Sequence, residues 1–233
     1  FPGFPVFRAE LVRSFEGALA PVERMRDELT RKATLTRKAT CAEVMAASLA
    51  DNLANLETIR QSLPAEACER IVAAILGARR VLVVGFGASG YLAGMLAHGL
   101  ELYCAQAQSL AGIGGAAHGA RTLFRLQARD TVIVIAFPRY VKDSIVIARN
   151  ARERGARIVA LTDSPTSPLA PLGDLTLYVQ AASRFNVTSD STALAVIEAL
   201  CAAVARHAKN SVKSAAAMTE SVLPWLMRED GTE

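Results

Sequence analysis

A glycine-rich turn between a buried strand and a helix is the first feature of this sequence that could carry chemistry. The turn, Gly85–Gly90 (GFGASG), follows the apolar run Val81–Val84 and precedes a helical leucine pattern over Leu92–Leu102. In this geometry, backbone N–H groups and the positive end of a helix dipole face an anion. The glycines allow a ligand to approach closely, and Ser89 adds a hydroxyl group. The turn therefore predicts an anion-binding site, although any tight turn between a strand and a helix also favours glycine.

The same turn has the spacing GxGxxG of dinucleotide-binding proteins. Such a site also needs an acidic residue about 20 positions farther on, which holds the ribose. Residues 104–112 (CAQAQSLAG) contain no Asp or Glu. This difference disfavours a nicotinamide-dependent enzyme, and we expect no cofactor.

The turn belongs to a regular alternation of strands and helices. Helical segments at 92–102, 115–126 and 141–154 separate most of the predicted strands, which are Val81–Val84, Ala105–Leu110, Thr131–Ala136, Arg157–Thr162 and Leu175–Val179. This order predicts an α/β fold, an open parallel sheet of five strands with helices on both faces. Ligands bind such sheets beyond the carboxyl ends of the strands. Those ends carry the predicted turn together with Ser109, Arg139 and Tyr140.

Helices flank the predicted sheet on both sides in the sequence. Thr40 and Glu43 have the spacing of a capping box, which begins a helix. In that helix a stripe of apolar residues predicts a buried face, and its members are Val44, Leu49, Leu53, Leu56, Ile59 and Leu63. A second helix is predicted over 65–77, and two more over 191–209 and 214–227. Before them, residues 1–15 hold four phenylalanines that need a docking surface, and residues 21–38 form a basic run typical of a solvated linker.

Composition excludes several classes of protein. The chain has 233 residues, 52% hydrophobic but only 6% aromatic, and a net charge of +4, which permits but does not favour nucleic-acid binding. Its four cysteines lie far apart with no CxxC pair, so we expect reduced thiols and no metal site. No apolar run reaches membrane-spanning length without a charge or a glycine. We therefore expect a cytoplasmic protein with no membrane partner.

Several segments together resemble the SIS (sugar isomerase) domain, a phosphosugar-binding module. The turn GFGASG resembles the first loop of that family, and residues 151–179 (ARERGARIVALTDSPTSPLAPLGDLTLYV) resemble its fourth and fifth strands with the turn between them. The resemblance implies a flavodoxin-like three-layer sandwich. Residues 1–11 (FPGFPVFRAEL) resemble the closing segment of the helix-turn-helix domain in RpiR-family transcription regulators.

The resemblance implies a division of the chain into four parts. Residues 1–20 are the remnant of a helix-turn-helix domain of which most is missing, and residues 21–78 are a helical linker preceding the sheet. Residues 79–210 form the SIS effector-binding domain, and residues 211–233 form a terminal helix and tail. An RpiR-like protein would bind operator DNA through its N-terminal domain and act as a homo-oligomer, a dimer or a tetramer.

The resemblance also implies a set of ligand-binding residues. In the family, hydroxyl groups of the first loop and of a Ser-x-Ser-Gly-x-Thr loop after the third strand hold the phosphosugar. The first loop corresponds to Gly87, Ala88 and Ser89. The second corresponds to Ala136–Val141 (AFPRYV), which lacks the serines, the glycine and the threonine, and Arg139 is its candidate anion-binding group. The alternative for Arg139 is a surface or dimer contact.

Polar residues before the last long helix, Asn186, Ser189 and Ser191, are further candidates, because SIS proteins bring polar groups to the pocket there. The alternative for the two serines is helix capping.

Three functions remain open at this point. The favoured one is a sensor that binds an anionic sugar, a phosphosugar or a sugar acid, and thereby controls DNA binding. A second is an aldose–ketose isomerase, which needs a base such as Glu or His near the substrate. Isomerases acting on arabinose 5-phosphate have a His-Gly-Asp segment and a Gly-Lys-Ser-Gly loop. The corresponding segments here are His118-Gly119-Ala120 and Gly87-Ala88-Ser89-Gly90, which lack the acid and the lysine. The other two histidines, His98 and His207, fall within predicted helices. A third is an oligomerisation module without a ligand.

Overall fold

A single parallel sheet organises the computed structural model, which describes residues 23, 25–27, 39–112 and 115–226 (of residue 116 the backbone alone). Its strands run side by side in the order β2-β1-β3-β4-β5. They are β1 (Val81–Val84), β2 (Ala107–Ser109), β3 (Thr131–Ile135), β4 (Arg157–Thr162) and β5 (Leu175–Tyr178). The predicted five-stranded parallel sheet is thus confirmed, with β2, β3 and β5 shorter than predicted.

Helices cover both faces of the sheet. In chain order they are α1 (Cys41–Ser62), α2 (Ala65–Leu76), α3 (Ala88–Leu100), α4 (Gly115–Leu123), α5 (Lys142–Glu153), α6 (Asp190–His207) and α7 (Ser211–Val222), with short 3-10 turns at Ala170–Leu172 and Leu223–Trp225. One core joins the sheet to α2, α3 and α6, and a second core joins the opposite face to α4 and α5. Val81 and Val83 belong to the first core, whereas Leu82 and Val84 belong to the second. The apolar runs are continuous because alternate side chains fill opposite cores.

Helix α1 begins as predicted, but only part of its predicted apolar stripe is buried. Thr40 and Glu43 form the capping box, with the Glu43 carboxylate accepting the Thr40 N–H at 2.7 Å. The predicted buried stripe is wrong at Leu49 and Leu53, which are 62% and 69% exposed, whereas it is confirmed at Ile59. The buried residues of α1 are Asn55 and Ile59. Polar contacts with the loop after β5 and the buried side chain of Ile59 hold the helix.

Some sequence-based expectations fall outside the described residues. The N-terminal phenylalanines and most of the basic run at 21–38 lie there. Within the part of the chain that the structure describes, no single helix has the length and hydropathy of a membrane span. The pair Asp190–His207 and Ser211–Trp225 meets those criteria only together, and it bends by 112° at the break.

Candidate functional site

The strand order creates a crevice at the carboxyl ends of β1 and β3. After β1 the chain crosses to β2 on one side, and after β3 it crosses to β4 on the other side. The loops after β1 and β3 therefore lead in opposite directions. Ligands of open α/β sheets bind at such a switch point. Gly87, the N-cap of α3, has φ 62°, a conformation that favours glycine. A Cβ atom at Gly87 would lie 3.8 Å from Cγ2 of Val141, so the two loops are adjacent.

A cavity of about 370 Å³ lies beside this crevice, and four parts of the chain form its three walls. Ala88 at the start of α3 and Arg139 from the loop after β3 form one wall. Seven residues between Ser183 and Ser191 form the second wall, and Ser48 and Asn52 of α1 form the third. The first turn of α3 carries no acidic residue, so nothing there offsets the positive end of its dipole. This end of the cavity is therefore suited to an anion, although the Asp190 carboxylate also lines the cavity.

Polar side chains with unused hydrogen-bonding capacity face this cavity. Among the described residues, no partner bonds the hydroxyl groups of Ser48, Thr188 and Ser191 or the side-chain amide of Asn186. Asn52 uses its Oδ1, which accepts from Ser189 Oγ at 2.7 Å, and its Nδ2 has no partner in that part of the chain. These groups can donate to and accept from the hydroxyl groups of a polyol. The cavity thus combines an anion-binding end with a wall suited to hydroxyl groups.

Arg139 has a backbone conformation that is unusual for its type. Its φ is 63°, and no other non-glycine residue in the described ranges has a positive φ. A non-glycine residue in this region costs about 1–3 kcal/mol and is held there by its surroundings. The adjacent Tyr140 supplies that constraint, because its hydroxyl donates to Asp163 Oδ1 at 2.7 Å. Arg139 itself is exposed and forms no ion pair with any residue the structure describes, so its guanidinium is available to a ligand.

Tyr140 stays protonated in this arrangement. Burial raises the pKa of Tyr140, and the hydrogen bond to Asp163 and the charge of that carboxylate raise the pKa further. Its hydroxyl therefore serves as a permanent donor that joins the loop after β3 to the end of β4. Thr162 strengthens the junction, since its Oγ1 donates to the Ala136 carbonyl at 2.7 Å.

The structure distributes the predicted site residues unevenly. Ala88, Arg139, Asn186 and Ser189 line the cavity, and Gly87 lies next to it as the N-cap of α3. Three others do not line it, namely Ser89, Ser109 and Tyr140. Ser109 instead accepts the Ala111 N–H at 3.2 Å, and Tyr140 acts through Asp163.

Ser189 caps a helix and also lines the cavity. Its hydroxyl oxygen accepts the Thr192 N–H at 3.2 Å and so caps α6, as the alternative predicted. The same hydroxyl group donates to Asn52 and lines the cavity.

The sequence did not indicate that α1 contributes to the cavity. Ser48 and Asn52 lie within a helix whose leucines predicted a buried apolar stripe. The only signal in the sequence was that these polar residues lie next to the leucines. Asp190 was also missed. It lies at the start of α6, where burial raises the pKa of its carboxyl group.

Strong polar contacts fasten α1 to the loop that lines the cavity. Arg184 Nε donates to Asp51 Oδ1 at 2.8 Å, and Arg184 Nη2 donates to the Ala47 carbonyl at 2.9 Å. Asn55 Nδ2 donates to the Ala182 carbonyl at 2.7 Å. Together with the bond between Asn52 and Ser189, these contacts fix α1 relative to the loop after β5.

Two larger cavities lie away from this edge of the sheet. One of about 530 Å³ lies beside Tyr103 and His207, and another of about 680 Å³ lies beside Arg152, Arg157 and Asp174. Neither borders the turn after β1 or the loop after β3. We therefore take the cavity beside Arg139 as the candidate ligand site.

Comparison with known proteins places this architecture in a family. Residues 74–221 match the model of the SIS domain, which is more than half of the chain. The chain belongs to the SIS domain family. Its SIS domain resembles the sugar isomerase domain of an RpiR transcription factor from Sphaerobacter thermophilus. The two are 30% identical with a TM-score of 0.69, over 76% of this chain and 97% of that one.

More distant SIS structures share the fold. Vibrio vulnificus NanR, in complex with ManNAc-6P, is 20% identical with a TM-score of 0.70, over 79% of this chain and 71% of that one. A phosphoheptose isomerase from Francisella tularensis is 18% identical with a TM-score of 0.61, over 72% of this chain and 100% of that one. No curated protein matched this sequence. The fold therefore occurs in both regulators and isomerases.

Proposed function

We propose that this SIS domain is the sensor of an RpiR-family transcriptional regulator and binds an anionic sugar, a phosphosugar or a sugar acid. The observation that carries the proposal is the position of Arg139, whose guanidinium shares one cavity with the start of α3 and a wall of hydroxyl and amide groups. Arg139 and the helix dipole bind the phosphate or carboxylate. The polar residues at 183–191 bind the sugar hydroxyl groups.

Similarity to known regulators supports the proposal. The relative at 30% identity is described as an RpiR transcription factor, and NanR is described as a complex with ManNAc-6P. By extension, ligand binding in this chain alters a homo-oligomer, a dimer or a tetramer, and with it contact with operator DNA. Light scattering tests the oligomer, and a monomer at micromolar concentration would count against this part of the proposal.

A sensor also fits the placement of the histidines. His98, His118 and His207 are exposed, and none of them lines the cavity beside Arg139. An isomerase needs a base at the substrate carbons, and no histidine is in place to supply it.

One observation favours an isomerase as the second candidate. Asp190 is a carboxylate that lines the cavity, and burial raises the pKa of its carboxyl group. A carboxylate whose pKa is raised is a better general base near neutral pH. Isomerase activity would thus depend on Asp190, and Asp190→Asn would abolish it.

A ligand screen with an activity assay separates these functions. The melting temperature of the chain is measured with ManNAc-6P, glucose 6-phosphate or gluconate, and the effect of each ligand is compared with that of its uncharged sugar. We expect one anionic sugar to raise the melting temperature, no turnover of it, and loss of the shift in Arg139→Ala. Turnover that Asp190→Asn removes would favour the isomerase. No shift with any anionic sugar would overturn the sensor.

A further inference from the structure

Helix α1 lies between the SIS domain and the N-terminal part of the chain, and it is also a wall of the candidate site. Ser48 and Asn52 line the cavity from α1, whereas the residues that face them lie between Ser183 and Ser191. A ligand that fills the cavity therefore has α1 on one side and the sheet loops on the other.

We propose that α1 binds the effector directly, through Ser48 and Asn52, so that ligand binding holds α1 against the SIS domain. This inference rests on the proposed function and adds to it the element that transmits the signal. The Ser48 hydroxyl and the Asn52 Nδ2 have no partner among the described residues, so they can bond sugar hydroxyl groups without breaking an existing contact.

The attachment of the first half of α1 is narrow and polar. It depends on the Arg184 contacts with Asp51 and Ala47, and on hydrogen bonds from Ser189 to Asn52 and from Asn55 to Ala182. The leucines beside this strip, Leu49 and Leu53, are exposed and add little burial. Because few apolar contacts hold this half of α1, new hydrogen bonds from a ligand shift its equilibrium between docked and released states.

Linkage makes the coupling reciprocal. If the ligand favours docked α1, then loosening α1 must weaken ligand binding, even through residues that do not line the cavity. Asp51 is such a residue, since it bonds Arg184 but does not line the cavity. We expect Asp51→Ala to lower affinity for an anionic sugar by about five- to tenfold.

A serine substitution tests the direct contact. Ser48→Ala removes a hydroxyl group that no described residue uses, so stability should stay the same. We expect affinity for the sugar phosphate to fall by about two- to tenfold, the loss of one hydrogen bond, with no change for inorganic phosphate. Ser62→Ala, at the far end of α1 and away from the cavity, is the matched control and should change neither affinity.

Hydrogen exchange on the 233-residue chain measures the position of α1. The probes are ManNAc-6P, glucose 6-phosphate and gluconate, with inorganic phosphate as the anion alone. We expect a bound anionic sugar to slow amide exchange at 41–55 as well as at 85–91, and inorganic phosphate to slow exchange at 85–91 only. Asp51→Ala should speed exchange at 41–55 without ligand.

The outcomes separate the two proposals. Binding of an anionic sugar with unchanged exchange at 41–55, or with unchanged affinity in both Ser48→Ala and Asp51→Ala, would overturn the role of α1 and leave the sensor intact. Binding of no anionic sugar would overturn the sensor and this inference with it.

Discussion

Tyr140 donates its hydroxyl hydrogen to Asp163 across 2.7 Å and so joins the loop after β3 to the end of β4. Arg139, immediately before Tyr140, has φ 63° and lines the candidate site. The pair therefore holds the loop that carries Arg139, although neither Tyr140 nor Asp163 lines the cavity.

Removing the Tyr140 hydroxyl tests that positioning role. We expect Tyr140→Phe to lower the free energy of unfolding by about 1 kcal/mol, the net value of one hydrogen bond. Affinity for the anionic sugar should fall as well, because Arg139 is held less firmly. Urea unfolding and calorimetric titration measure the two effects, with Tyr178→Phe as the control, because the Tyr178 side chain is exposed at the end of β5. Full affinity in Tyr140→Phe would show that Arg139 needs no such support.

Substituting Arg139 separates backbone strain from charge. Arg139→Gly should raise the free energy of unfolding by about 1 kcal/mol, since glycine adopts a positive φ without strain. The same variant should lose at least about tenfold in affinity for the anionic sugar, because a charge-assisted hydrogen bond is lost.

Arg139→Ala is the matched control, because its Cβ keeps the strain while its charge is gone. It should lose the same affinity without the gain in stability. If both variants are equally stable, the φ of Arg139 is not a source of strain.

Asp130 predicts a pH dependence of stability at the opposite edge of the sheet. Its buried carboxylate accepts from Arg79 Nη2 at 2.8 Å and from Arg80 Nε at 3.0 Å. Burial acts to raise the pKa of Asp130, but hydrogen bonds from Arg79, the Gln127 N–H and Arg80 outweigh burial, so the pKa of this carboxyl lies below its ordinary value. Such a carboxyl stabilises the fold above its unfolded pKa, and that stability is lost as pH falls through the folded pKa.

Asp130→Asn should therefore lower the free energy of unfolding at pH 7 by about 2–4 kcal/mol. This cost is smaller than that of breaking a fully buried ion pair, because the Arg79 side chain is 38% exposed. The difference from the unsubstituted chain should shrink below about pH 4. Urea unfolding at pH 7, 5 and 3 measures it, with exposed Glu220→Gln as the control. A difference that stays constant down to pH 3 would contradict this assignment.

Two glycines near the site should respond to alanine in opposite ways. A Cβ at Gly85 would collide with the Ser89 carbonyl carbon at 2.7 Å and with its oxygen, whereas a Cβ at Gly94 would meet nothing within 4 Å. We expect Gly85→Ala to destabilise the fold by about 2 kcal/mol or more, because backbone must move. Gly94→Ala, inside α3, should stabilise it by about 0.5–1 kcal/mol. Thermal unfolding compares them, and equal effects would contradict the tight turn.

The sheet could be predicted from sequence because its information is local. Runs such as Val81–Val84 are apolar and β-branched without interruption, and their alternation with helical segments fixes a parallel order. The position of the glycine turn was predictable for the same reason, since Gly85–Gly90 lies between a strand and a helix.

The α1 wall of the candidate site was not predictable, because no local pattern records it. The leucines of α1 suggested burial, yet the face that packs is the one carrying Asn52 and Asn55, whose partners lie far along the chain. The left-handed backbone of Arg139 was equally hidden, since the neighbouring hydrogen bond joins Tyr140 to Asp163, 23 positions along the chain.

The distance along the chain between the two walls has a consequence for synthesis. Asp51 and Arg184 are 133 positions apart, although they bond directly in the folded chain. A chain ending before residue 183 would contain all five strands and the glycine turn, yet it would lack helix α6 and the whole second wall. Translation must therefore pass residue 191 before any copy holds all the residues that line the candidate cavity.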